Sequence, residues 1–156
     1  MSHVRPIPEG YHTVTPFLAV DDASAAIEFY ERAFGARERA RIPMPDGKVA
    51  HAELELGDSV IMLADPFPQA ATRPPKELGG TTVGVFLYVE DVDGFVQRAV
   101  DAGATVTMAP EDMFWGDRFG QLTDPFGHQW QVATHIEDVP PEEMATRAKA
   151  AMSSMG

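Results

Sequence analysis

Phe17-Leu18-Ala19-Val20-Asp21-Asp22 and Phe86-Leu87-Tyr88-Val89-Glu90-Asp91 are two versions of one pattern, an apolar run closed by two acids. A helical pattern follows each. Ile27, Tyr30 and Phe34 fall at helical spacing after the first, and Val92, Phe95, Val96, Ala99 and Val100 after the second. Gly35-Ala36 ends one helix and Gly103-Ala104 the other, as expected of the residue that leaves a helix in a left-handed conformation. A glycine turn then enters an apolar strand: Gly57-Asp58 before Val60 to Leu63, and Gly127 before Trp130-Gln131-Val132. The landmark pairs Phe17/Phe86, Gly35/Gly103 and Gly57/Gly127 lie 69, 68 and 70 residues apart. A common offset over three landmarks means one duplicated supersecondary unit. A ligand site in such a chain is expected between the halves, because pockets favour the seams between packed units.

Working outward, Thr13 to Val20 is rich in β-branched residues and reads as a strand. Asp21 or Asp22 caps the following helix. Arg37 to Ile42 is a strand, Pro45-Asp46-Gly47 a turn, and Ser59 to Ala64 another strand. Val49 to Leu56 alternates, with Ala50, Ala52, Leu54 and Leu56 on one face and Val49, His51, Glu53 and Glu55 on the other. The unit is therefore β-α-β-β-β, spanning residues 11–65. Residues 66–80 carry four prolines and read as a linker or a loop over a site. Residues 81–136 repeat the unit, with strands at Thr82–Val89, Thr105–Met108, Arg118–Thr123 and His128–Thr134, and a loop from Pro110 to Gly116. Pro140-Pro141-Glu142-Glu143 opens a C-terminal helix over 140–152, since proline and acids suit a first turn.

Composition bounds the function. A chain of 156 residues is one domain, 1–156, with 44% hydrophobic residues. A net charge of −12 argues against nucleic acid and against an anionic membrane surface. With no cysteine, disulfides, thiolate catalysis and zinc–thiolate sites are excluded. No apolar run reaches the length of a membrane span, and the N-terminal residues lack the apolar core of a signal peptide, so the expected location is the cytoplasm.

Two tandem β-α-β-β-β units resemble the vicinal oxygen chelate superfamily of glyoxalases, extradiol dioxygenases and bleomycin-binding proteins. Trp115-Gly116-Asp117-Arg118-Phe119-Gly120, then Asp124-Pro125-Phe126-Gly127-His128 with Trp130, resemble its PhnB-like branch, as does His51-Ala52-Glu53-Leu54 before Gly57-Asp58. The resemblance implies an α+β fold in which the units form a curved eight-stranded cup. It also implies a homodimer, and a divalent metal held by side chains from the first and last strand of each unit. Placed through the repeat, those positions are Thr15, Met62, Gly84 and Gln131. They offer no imidazole or carboxylate, so the usual metal site is absent in this registration and no cofactor is expected.

The remaining chemistry lies in a few residues. His51 and Glu53 share a strand face, and are either a base with its orienting carboxylate, two ligands of a relocated divalent metal, or part of a solvated face. Trp115, Asp117 and Arg118 form either a clamp for a planar or anionic ligand or a loop brace. Gln131, Thr15 and Met62 are expected to line the cup. His128 and Trp130 lie opposite Gln131. His3, His12 and His135 are read as structural or solvated. Two functions follow. One is a small-molecule binding protein without the superfamily's metal; the other is a lyase, isomerase or dioxygenase working through His51 and Glu53.

Overall fold

A computed structural model describes residues 3–155. The first unit runs β1 (Phe17–Ala19), α1 (Ala23–Phe34), β2 (Arg37–Pro43), β3 (Val49–Leu56) and β4 (Ser59–Ala64). A short helix, α2 (Pro75–Leu78), lies in the connection. The second unit runs β5 (Gly84–Tyr88), α3 (Val92–Ala102), β6 (Thr105–Asp112), β7 (Asp117–Thr123) and β8 (Gln129–His135), and α4 (Pro141–Ser153) follows. The strands form two four-stranded sheets of matching order, β1-β4-β3-β2 and β5-β8-β7-β6. The first strand of each unit is parallel to the fourth, with Phe17 opposite Met62 and Phe86 opposite Gln131. The fold is the α+β tandem repeat expected from the sequence, with a short C-terminal helix.

Local chemistry explains the element ends. The Asp22 carboxylate accepts from the Ala25 N–H at the start of α1, and Asp91 accepts from Gly94 at the start of α3. The first helical N–H of each unit finds a partner at the same place in the repeat. Ala23 donates to Asp65 Oδ1 at 3.0 Å, and Val92 donates to Thr134 Oγ1 at 2.8 Å.

Three segments differ from the sequence-based expectation. β1 is shorter than Thr13–Val20 because Pro16 has no N–H for the ladder, which starts just after it. β6 continues to Asp112 through the expected Pro110–Gly116 loop, since an edge strand tolerates Pro110 beside the register shift between Met108 and Glu111. Val49 is buried rather than on the polar face of β3: the register slips at Pro43, and the Val49 N–H donates to Asp65 Oδ2 at 2.7 Å.

The units meet through α1 and α3, not through strand pairing. Phe34 stacks on Phe95, and Tyr30 and Phe34 both pack edge-on against Trp130. Beneath them lies Asp124, 3% exposed. Its Oδ2 accepts from Tyr30 of the first unit at 2.5 Å and from Trp130 Nε1 at 2.8 Å, while its Oδ1 accepts from the Phe126 and His128 N–H groups. His128 Nε2 donates to the Ala19 carbonyl at 2.8 Å, a second polar link between units. Gly127, at φ 91°, has room only for hydrogen, because an added Cβ would stand 2.8 Å from Pro75 Cβ. No helix of the described residues is long and apolar enough to cross a membrane.

Removing Asp124 strands several buried donors at once. Asp124→Ala is expected to cost about 3–5 kcal/mol in urea denaturation and Tyr30→Phe about 1.5–3 kcal/mol. A loss below about 1 kcal/mol for Asp124→Ala would remove this joint from the account.

Candidate functional site

Each sheet has one face against the helices and one open face. On the open face of the first, Phe17, Met62 and Glu53 stand level across β1, β4 and β3. His51 Nε2 lies 3.0 Å from Glu53 Oε2, and its ring centroid is 6.1 Å from that of Phe17. The Tyr11 hydroxyl is buried beside Glu53 with no hydrogen bond of acceptable geometry. Its proximity, helped by His51 and Arg39, holds the Glu53 carboxyl below its ordinary value despite the cost of burial. Burial and then Glu53 push the Tyr11 phenol up to about 12. The sequence-predicted pair is thus formed, and its carboxylate is charged.

On the open face of the second sheet, Asp117 is the polar centre, 2% exposed at the start of β7. Its Oδ2 accepts from the Tyr88 hydroxyl at 2.9 Å and from Trp115 Nε1 at 3.0 Å. Its Oδ1 accepts from His135 Nδ1 at 2.8 Å. Burial works to raise the Asp117 pKa, and the donors His135, Tyr88 and Trp115 together outweigh it, so the carboxyl sits below its ordinary value. The Asp117 hydrogen bond, followed by one from Asp138, raises the His135 pKa. His135 Nε2 reaches Asp138 Oδ1 at 2.7 Å. Gly116 makes this approach possible. At φ 102° it offers its carbonyl to the N–H groups of Ile136 and Glu137, and a Cβ there would lie 2.2 Å from the Glu137 carbonyl oxygen.

Arg118 is not part of this group. As the neighbour of Asp117 on a strand it projects to the other face, where it holds Asp93 through two nitrogens and Asp112 through a third. The expected clamp of Asp117 with Arg118 is therefore not formed, and Arg118 braces α3 and β6 against β7. Gln131 lies over Gly84, opposite Phe86 in β5 and Gln121 in β7. Thr15 precedes β1, and Met62 faces Glu53.

Between the units, along the free edge of β5, runs a cleft of about 1120 Å³. The first unit gives it Val14, Pro16, Leu56 and Ile61; the second gives Val85, Phe86, Leu87 and Phe95. Its polar lining comprises Asp58, Ser59, Tyr88, Glu90, Thr134 and His135. A smaller cleft of about 690 Å³ lies beside β1 under the linker, between Phe17, Arg73, Leu78 and His128. None of His51, Glu53, Trp115, Asp117, Arg118, Gln131, Thr15 or Met62 lines the larger cleft. Asp117 and Trp115 act on it from behind, through Tyr88 and His135. Of these two lining residues, Tyr88 was not singled out by sequence, and His135, read there as structural or solvated, instead lines the cleft on Asp117. The available signal was Tyr88, an aromatic where the first copy of the repeat has Ala19.

The positions where the resemblance implies a metal hold Thr15, Met62, Gly84 and Gln131, a donor set that does not suit a divalent ion. Among the described residues no three His, Asp or Glu side chains are grouped to hold one.

Sequence comparison now fits this geometry. Residues 10–132 match the profile of the Glyoxalase/Bleomycin resistance protein/Dioxygenase superfamily. The chain belongs to that superfamily. The uncharacterized protein Mb0911c of Mycobacterium bovis is 47% identical over 146 residues, covering 92% of this chain and 93% of its own. The crystal structure of TioX from Micromonospora sp. ML1 is similar at 30% identity and a TM-score of 0.65, covering 80% of this chain and 99% of TioX. The PhnB protein from Bacillus cereus shares the fold at 18% identity and a TM-score of 0.61, covering 79% of this chain and 99% of its own.

His135 supplies a pH test. Its pKa is raised in the folded state, so the stability it contributes is full below the unfolded value of about 6.5 and is lost as pH rises through the folded value. In an NMR titration His135 is expected to have a midpoint above about 6.5, and Asp117→Asn to lower it. The stability gap between the wild type and His135→Gln should shrink as pH rises past that midpoint. A gap that widens with pH would contradict the pairing.

Proposed function

We propose that the protein binds a small molecule in the cleft between its two units and needs no resident metal to do so. The observation that carries this reading is the cleft itself: about 1120 Å³, with apolar walls from both units and few polar groups. Small-molecule sites have this composition and sit at such seams. The donor set at the superfamily's metal positions supports binding over metal-assisted chemistry. We further propose that the protein is cytoplasmic, homodimeric and PhnB-like within its superfamily. The Trp115–Gly120 and Asp124–His128 strings support the branch, and the half-exposed Phe17 and Phe86 on the open sheet faces support a partner copy.

A second reading is an enzyme of the lyase, isomerase or dioxygenase type, favoured by the 3.0 Å contact of His51 with Glu53. Neither residue of that pair lines the cleft, and a relocated divalent metal there would need ligands beyond the two.

Val14 lines the cleft at 82% exposure, so Val14→Trp adds bulk at the cleft wall without disturbing the core. A compound that raises the melting temperature of the wild type in a thermal-shift screen is expected to lose its effect on Val14→Trp and keep it on His51→Ala. The reverse pattern would favour the enzyme reading. So would about one equivalent of a divalent ion per chain in protein purified without chelator.

A further inference from the structure

The ligand's chemistry follows from the one cleft-lining side chain able to carry positive charge. Among the described residues no Lys or Arg lines the cleft, which leaves His135 against the exposed carboxylates of Asp58 and Glu90. His135 is also the best-positioned polar group there. Its Nδ1–H is fixed on buried Asp117, whose second oxygen is already taken by Tyr88 and Trp115. The ring is thereby oriented, and in the imidazolium form, which the two carboxylates favour, Nε2–H is the directional donor. That donor holds a carboxylate oxygen, Asp138 Oδ1, at 2.7 Å. Asp138 is fully exposed, and its side chain has no other hydrogen-bond partner among the described residues. Exposed ion pairs of this kind exchange readily.

We infer that His135 is the polar anchor of the cleft. It receives an anionic oxygen of the ligand in the place Asp138 now occupies, and the ligand is an apolar, ring-bearing monocarboxylate. Asp138 is then a self-occupant that the ligand displaces. The apolar body lies against Val85, Phe86, Leu87 and Phe95, and the aromatic series Tyr88–Phe86–Phe119–Trp115 stiffens that wall. Asp58 and Glu90 disfavour negative charge elsewhere in the cleft, which places the ligand's one anionic group at His135. The groups that face the His135 ring are Asp117 and Asp138, with Tyr88 acting through Asp117, so the anchor weakens as pH rises and the imidazolium loses its proton.

This inference rests on the cleft being the binding site, and its test separates the two. The probes are 2-naphthoate, 2-naphthamide and 2-naphthylmethylamine, one apolar body with an anionic, a neutral and a cationic head, measured by calorimetry on the full chain. Near pH 6 the naphthoate is expected to bind about tenfold more tightly than the amide. His135→Gln should erase that preference while amide binding persists, and Asp138→Asn, at a fully exposed position, should strengthen naphthoate binding. Preference for the cationic probe would overturn the inference but leave the cleft as the site. So would a naphthoate preference untouched by His135→Gln and Asp138→Asn. Failure of all three probes to bind, or binding that Val14→Trp does not reduce, would overturn the cleft reading and the inference together.

Discussion

Asp124 is the constraint on which the arrangement depends. One buried carboxylate takes four donors, one of them the Tyr30 hydroxyl of the other unit. Burial, followed by this carboxylate, raises the Tyr30 pKa well above its ordinary value, so the phenol stays a donor throughout the physiological range. Because the units are joined here and along α1 and α3, their sheets need not pair. The edges of β1 and β5 stay free, and the cleft runs along the second of them. A fold tied together at its strands would have closed that space.

The two halves share a scaffold but not a chemistry. Each feeds its first helical N–H to a side chain at the end of its last strand, Asp65 in one and Thr134 in the other. Asp65 spends its second oxygen on the Val49 N–H and so belongs to the backbone. In the second half, the neighbour of Thr134 is His135, and Asp117 is free to hold it. The repeat partner of His135 is Pro66, which carries no donor or acceptor on its side chain. The duplicated architecture thus leaves a histidine–carboxylate pair in one copy while Asp65 in the other holds backbone N–H groups.

Much of the fold was legible in the sequence because its signals are local. The doubled acid pair gave the helix caps, Gly35 and Gly103 the helix ends, and the 69-residue offset the equivalence of Phe17 with Phe86 and of Met62 with Gln131, which pair alike in the two sheets. What was not legible depends on contacts between distant residues. Val49 goes inward because Asp65 takes its N–H, and β6 runs through Pro110 because the edge permits it. The His51–Glu53 contact could be read from strand period alone. Asp117 and Trp115 were found as a pair, but their partners Tyr88 and His135 lie 29 and 18 residues from Asp117. No spacing rule joins residues so far apart, and Arg118 was drawn in only because it is adjacent.

The most direct measurement is a two-dimensional NMR titration of the full chain with 2-naphthoate. Binding between the units predicts that amide shifts move together on both walls, in Leu56–Ile61 of the first unit and Val85–Glu90 of the second. Shifts confined to β3 around His51 and Glu53, with both cleft walls unmoved, would contradict it.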